Sequence, residues 1–198
     1  SAEKCRKDAN LRPGFIFSDL AAWLQQNHAI QTRLMPTNVM GSMLRQFDFH
    51  RNRILLSEAM PEEQRLFQLG VQIALVSCQP EIDTIIAGAG LENSESTNLL
   101  KMTLSNYFSA CLMMPYDNFL AAAQETKYDL EQLSNKFGAS FEQICHRLTT
   151  LNRPGARGIA FFFLRVDEAG HISKRLSGGG VEFAKYGGSC SRWIPHHA

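Results

Sequence analysis

The stretch FQLGVQIAL, Phe67–Leu75, decides how this chain folds. From Leu66 to Val76 the residues are apolar on nearly every side of a helix, so the segment must be enclosed by other elements. Pro61 stands ready to open that helix, and Glu62 and Glu63 in its first turn complement the positive end of the dipole. The stretch holds no metal-ligating side chain.

Upstream, the sequence predicts a helix from Ser18, as cap, to about Asn27, with Leu20, Ala21, Trp23 and Leu24 as its apolar face. Three strands follow: Ala29–Met35, Met43–Phe49 and Arg53–Ser57, the last two joined by the turn His50-Arg51-Asn52. Together they predict a small antiparallel sheet. Downstream, a helix over Glu81–Ala89 ends at Gly90, Asn93–Ser96 reads as a polar loop, and a long apolar helix over Leu99–Met114 stops at Pro115. A helix over Tyr116–Gln124 comes next. Leu130–Lys136, Phe137-Gly138 and Ser140–Thr150 then spell a helix–glycine turn–helix, with Ser140 and Gln143 in capping-box positions. Its second helix offers one Arg and one Glu beside apolar residues, a poor phosphate-binding face, so it reads as a packing element.

After Asn152-Arg153-Pro154-Gly155 the period changes to that of strands. Ile159–Val166 and His171–Leu176 flank the turn Asp167–Gly170, and a short strand at Val181–Lys185 lies between glycine loops. The predicted fold class is α+β: a small antiparallel sheet packed with a mainly helical domain over residues 1–151, then a small β-rich lobe over residues 152–198.

The 198 residues suffice for one substantial core, and 44% apolar with 20% charged residues is the composition of a soluble globular chain. No apolar run is long enough to span a membrane, and no secretory signal precedes Lys4, so a cytoplasmic location is expected. Ser1-Ala2 at the start and the stop soon after Trp193 read as a piece of a longer protein. Cys5, Cys78, Cys111, Cys145 and Cys190 are odd in number and widely spaced, which argues against disulfides and structural zinc. The net charge of +1 is uneven: residues 1–146 hold 12 basic and 16 acidic side chains, residues 147–198 hold 8 and 3. A local anion site in the C-terminal part is expected.

In RLFQLGVQIAL and LSNYFSACLMMP the chain resembles the ImmA/IrrE-type zinc peptidases, which carry F-x-x-A-H-E-x-x-H followed by E-A-N-x-F-A-x-x-L-L-M-P. LSNKFGASFEQICHRL resembles their closing helix pair. The resemblance implies a zincin-like fold, but at the matching positions Val71 and Leu75 replace the two histidines, Gln72 the base and Leu104 the third ligand. None binds zinc, and a neutral amide takes no proton from water, so the peptidase is read as degenerate, with no metal and no catalytic residues.

ASFEQICHRLTTLNRPGARGIAFFFLRVDEAGHISKR, with GGSCSRW later, resembles the sensor region of the short-chain fatty-acyl transcriptional regulators of propionate, methylcitrate-cycle and glyoxylate-cycle genes. That resemblance implies a sensor, not an enzyme. It would bind a short-chain acyl-CoA such as propionyl-CoA as effector, with no further cofactor. It would act on DNA through a helix-turn-helix domain absent from this chain, as a homodimer or higher homo-oligomer, with no membrane partner.

Acyl-CoA requires cations for its phosphates and an apolar slot for its tail. Two basic clusters meet the first need: Arg45, Arg51 and Arg53 with His50, and Arg153, Arg157, Arg165, Lys174 and Arg175. Val71, Leu75, Leu104, Tyr107, Phe108 and Phe162 are candidates to line the slot. The candidate ligand-binding set is therefore Arg51, Arg53, Val71, Leu75, Leu104, Tyr107, Phe162, Arg165, Lys174 and Arg175. Core packing is the competing account of the apolar members, and surface ion pairing that of the arginines. The alternative function is a residual hydrolase or thioesterase using Cys190 or a histidine.

Overall fold

The computed structural model describes residues 2–12, 14–168 and 170–179. Helices α1 (Ala2–Asp8) and α2 (Ile16–His28) are followed by β1 (Gln31–Met35), α3 (Thr37–Met40), β2 (Arg45–Asp48) and β3 (Arg53–Ser57). Next come α4 (Glu62–Ser77), α5 (Gln79–Gly88), α6 (Ser94–Met113), α7 (Tyr116–Glu125), α8 (Leu130–Phe137) and α9 (Phe141–Leu148). The described chain closes with two strand pairs, β4 (Asn152–Arg153) with β5 (Ala156–Arg157), and β6 (Phe162–Val166) with β7 (Ile172–Ser177). The class is α+β, as the patterning predicts. Among the described residues no helix is long and apolar enough to cross a membrane.

By compactness the chain forms two units, Ser1–Phe119 with Phe137–Ser140, and Leu120–Lys136 with Phe141–Ala198. The first contains the sheet and α1–α6. Its strand order is β1-β3-β2, with β2 antiparallel and β1 parallel to β3, so the sheet is mixed where an antiparallel one was expected. The reason is connectivity. α3 joins β1 to β2, and the hairpin that closes through the 50–52 turn then inserts β3 between them, running the same way as β1.

Helix α4 packs on β3, α2, α5 and, most extensively, α6. Leu66, Leu69, Gly70, Val71, Gln72, Ile73 and Ala74 are buried, as an all-round apolar helix requires. Gly70 is the point of closest approach to α6. A Cβ there would lie 2.4 Å from Ser109 Oγ and 3.3 Å from Ser109 Cα. The Ser109 hydroxyl donates to the Phe67 carbonyl at 2.7 Å, tying the helices together where glycine lets them meet. Three residues further along α6, Arg6 Nη1 donates to the Leu112 carbonyl, one of the acceptors that a helix C-terminus leaves open.

Two helix starts differ from expectation. Ser18 lies inside α2, donating to the Phe15 carbonyl at 2.9 Å, because Asp19 accepts from the Arg12 N–H and anchors the start earlier. Asn93–Ser96 is the cap of α6 and not a loop: Asn93 Oδ1 accepts from the Ser96 N–H at 2.7 Å.

In the second unit α7 ends with Lys127 and Tyr128 both left-handed (φ 52° and 63°), which costs on the order of 1–2 kcal/mol per residue. Tyr128 is held there at both ends. Its ring lies 5.4 Å from that of Phe161, and its hydroxyl accepts from the Ile159 N–H. Gly178 ends the β6–β7 hairpin against backbone. A Cβ there would meet the Thr149 and Phe161 carbonyls at 2.8 and 3.0 Å. Arg153-Pro154-Gly155 makes the turn between β4 and β5, and β6 begins at Phe162 instead of Ile159. The expected strand at Val181–Lys185 lies outside the described residues.

Gly70→Ala is expected to lower unfolding free energy by about 1–2 kcal/mol. Over-packing costs about 1–3 kcal/mol, and the ~1 kcal/mol gain in helix propensity offsets it only partly. Ser109→Ala should cost about 1 kcal/mol for its hydrogen bond and should reduce the cost of Gly70→Ala in the double variant. A denaturant double-mutant cycle measures both, and zero coupling would refute the contact.

Candidate functional site

Val71, Gln72 and Leu75 lie on α4, and Leu104 on α6, the helix packed against it. Val71 is 1% exposed and belongs to the core, Gln72 is buried, and Leu75 and Leu104 are half-buried. Three alkyl side chains and an amide supply neither imidazole nor carboxylate, so these positions do not fit a catalytic zinc ion. Among the described residues no group of three His, Cys, Asp or Glu side chains is placed to hold a metal. Phe108 is buried, whereas Tyr107 on the flank of α6 is 48% exposed.

The sheet sorts its arginines by strand alternation. Arg45 pairs with Leu56 and Phe47 with Ile54, and Ile54 and Leu56 are fully buried, so Arg45 sits on the core face. Asp48 pairs with Arg53, which puts Arg53 on the opposite face, and Arg51 in the turn is exposed. Arg45 Nη1 donates to the Gln68 carbonyl of α4 at 3.2 Å. Burial holds its guanidinium below the usual arginine range, and no carboxylate among the described residues pairs with it. The half-buried arginine that reaches α4 is therefore Arg45, which is absent from the candidate set. The alternation Arg45-x-Phe47 against Ile54-x-Leu56 was the signal in the sequence that distinguishes it from Arg53.

The second unit brings two candidates together. Arg165 and Lys174 stand opposite each other in the β6–β7 ladder, and Arg165 Nη1 and Lys174 Nζ lie 3.3 and 3.6 Å from Oε1 of Glu142 in the first turn of α9. Arg165 Nε donates to Ser173 Oγ at 2.8 Å, which fixes the guanidinium. The His146 ring meets Phe163 edge-on at 4.7 Å, and its Nδ1 lies 3.4 Å from Lys174 Nζ. An ammonium only donates, so Nδ1 accepts and the neutral ring carries its proton on Nε2. Nε2 is 3.3 Å from Glu142 Oε1 without hydrogen-bond alignment. Burial, then the Lys174 charge, push the His146 pKa below the ordinary histidine value, against the pull of Glu142. Leu164 pairs with Arg175 and Phe162 with Ser177, which places Arg175 and Phe162 on the other face of the hairpin. Neither Glu142 nor His146 is in the candidate set. Only the docking of α9 against the hairpin reveals them.

Two of the thiols are poor nucleophiles. Burial, reinforced by Cys78 and Asp8, pushes the Cys5 thiol up to about 12, and burial raises Cys145 as well. Cys190 lies outside the described residues. Arg147 of α9 is 1% exposed and donates to Thr150 Oγ1 at 3.0 Å, so it points into the unit and not toward a phosphate backbone.

Residues 25–149 match the family model described as the IrrE N-terminal-like domain, and residues 150–198 match the one described as the C-terminal region of the short-chain fatty acyl coenzyme A regulators. The chain is 44% identical over 147 residues to a propionyl-CoA carboxylase regulator of Cereibacter sphaeroides, covering 74% of this chain and 32% of that protein. It is 34% identical over 198 residues to the HTH-type transcriptional regulator PrpR of Mycobacterium tuberculosis, covering 100% of this chain and 40% of that protein. Against RamB of the same organism the figures are 32% over 193 residues, 98% and 40%. A solved structure titled Mycobacterium tuberculosis transcriptional regulator superposes with a TM-score of 0.92 at 34% identity, covering 100% of this chain and 59% of that one. The chain thus spans at most 40% of the length of these three relatives. All three are named as regulators and none as an enzyme.

The lowered His146 pKa sets the sign of a pH effect. As pH falls, the unfolded histidine takes a proton first, near its ordinary value of about 6.5. The stability that His146 contributes is present above that value and is lost as pH falls through it toward the lower native value. Glu142, Lys174 and Arg165 are the charged groups acting on it. His146→Gln should flatten stability against pH between about 7 and 5. Equal slopes for the two proteins in urea titrations across that range would contradict it.

Proposed function

This chain belongs to the IrrE N-terminal-like domain family, with the C-terminal region of the short-chain fatty acyl coenzyme A regulators following it, and from that membership we propose that it is the effector-sensing part of a transcriptional regulator. Its effector is a short-chain acyl-CoA, propionyl-CoA in the first instance. DNA is reached through a part of the protein outside this sequence, in the cytoplasm, and the protein acts as a homodimer, because transcription factors of this type meet paired half-sites. It performs no chemistry on the thioester. Binding acts by favouring one arrangement of the whole regulator over another.

One observation carries the reading. The segment that matches the acyl-CoA regulator model holds Arg165 and Lys174 side by side at one ladder position, with Arg165 oriented by Ser173. A fixed guanidinium beside an ammonium is the donor set that a diphosphate or phosphomonoester of coenzyme A requires. The α4–α6 positions support the reading from the other side, since their side chains supply no hydrolytic machinery. Arg51, Arg53, Tyr107, Val71, Leu75, Leu104, Arg175 and Phe162 remain proposed contacts, and Arg45 joins them because its half-buried cation has no carboxylate partner among the described residues.

Calorimetry with propionyl-CoA, free CoA and propionate tests the proposal. Saturable binding of the thioester is expected, with no release of free thiol over the titration. Arg165→Gln or Lys174→Gln should weaken binding by about 1–3 kcal/mol, the range of a hydrogen bond to a charged group. Arg45→Met should leave thermal stability unchanged or raised, because a desolvated charge is replaced by an apolar chain of similar length. Absence of binding by every CoA compound would overturn the sensor reading, and thiol release would turn it into that of a thioesterase.

A further inference from the structure

The environment of Glu142 points beyond the list of contacts. Three donors from three elements converge on one of its oxygens: Nη1 of Arg165 from β6 at 3.3 Å, Nζ of Lys174 from β7 at 3.6 Å, and Nε2 of His146, one turn along α9, at 3.3 Å. A charge-assisted N–H···O bond closes to about 2.7–2.9 Å. None of the three does, and the His146 Nε2, although buried, is not aligned as a hydrogen bond. This oxygen takes one hydrogen bond, from Arg165 Nη1, and leaves Lys174 Nζ and His146 Nε2 at ion-pair distance. A tetrahedral group with three oxygens on one face matches such an arrangement better, since each donor then meets its own acceptor.

The charge count agrees. Arg165 and Lys174 bring two positive charges, Glu142 one negative, and His146 is neutral, so the cluster is left net positive. The site is reachable: the Arg165 side chain is 53% exposed and Glu142 39%. An exposed ion pair of this kind contributes little to stability, so little is lost when its partner is exchanged.

We propose that Arg165, Lys174 and His146 form a phosphate-binding site whose resident counter-ion is Glu142, displaced when a phosphoryl or diphosphate group arrives. This inference rests on the sensor reading for its physiological ligand, but not for its chemistry. Glu142 holds the two cations apart and pre-oriented in the ligand-free protein. It also taxes binding, because each incoming phosphate must first replace a carboxylate. That exchange replaces the Glu142 link between α9 and the hairpin with a phosphate bridge that includes His146, so occupancy at the site is linked to the contact between α9 and the hairpin. The carboxylate is thereby a selectivity device: a doubly charged phosphoryl group displaces it and a singly charged carboxylic acid does not.

The test uses the full chain with inorganic pyrophosphate as probe, followed by calorimetry. Glu142→Gln removes the competing charge and keeps the shape, and should tighten pyrophosphate binding about tenfold. Adding Arg165→Gln should cancel the gain. Propionyl-CoA should gain by a similar factor, and propionate should gain nothing. Glu142→Asp, which keeps the charge and withdraws it by one methylene, should give a smaller gain and serves if the amide variant does not fold. Equal or weaker pyrophosphate binding by the folded variant, including no measurable binding by either protein, overturns the proposal. The two readings fail separately. If wild-type chain binds propionyl-CoA while Glu142→Gln gains nothing, only the displacement fails. If Glu142→Gln gains for pyrophosphate while no CoA thioester binds, the sensor reading fails and the phosphate site stands.

Discussion

The contact on which the first unit depends is the approach of α4 to α6 at Gly70. Without a side chain there, the backbone of α4 comes within van der Waals reach of Ser109, and the Ser109 hydroxyl closes on the Phe67 carbonyl. Leu69, Val71, Ile73 and Ala74 are then enclosed on every side by α2, α5, α6 and β3. An apolar helix is tolerated in water only when enclosed in this way. The same enclosure explains why the replacements at the metal-ligand positions are alkyl groups and an amide. Once imidazole and carboxylate are gone, a buried position favours side chains that need no ion.

The described cluster of the second unit is electrostatic. The β6–β7 hairpin puts two cations on one face, α9 answers with one carboxylate, and His146 between them is kept neutral by burial and by Lys174. A basic group that is incompletely neutralised, oriented by Ser173 and open to solvent suits an anion that binds and leaves, whereas a stability-bearing salt bridge would be buried and closely matched. Membership in a family of regulators and the lack of a hydrolytic set on α4 and α6 point the same way, toward recognition instead of turnover.

Much of this was legible in the residues. Strand β3 lies where Arg53–Ser57 predicts it, and α4 starts beside Pro61 and is buried where Phe67–Leu75 demands. The two misplaced helix starts have local causes. Asn93 looked like loop because its capping bond to Ser96 uses a side chain, and Ser18 looked like a cap because Asp19 and Arg12 move the start of α2 upstream. That Arg45 and Arg53 occupy opposite faces of the sheet is not legible locally, because proximity in sequence does not tell which face of a pleated strand a residue occupies until the register with β3 is known.

By itself the sequence determined the class, the central helix, the want of a metal-ligating side chain within Phe67–Leu75 and the concentration of positive charge after residue 146, because periodicity and composition are properties of the chain alone. Tertiary structure alone decided that β1 runs parallel to β3, that Gly70 is a contact and not a flaw in a helix, and that Glu142 and His146 share a cluster with Arg165 and Lys174. Each of these joins residues 20 or more positions apart. Such pairings are set by which surfaces exclude water together, and local spacing does not encode that.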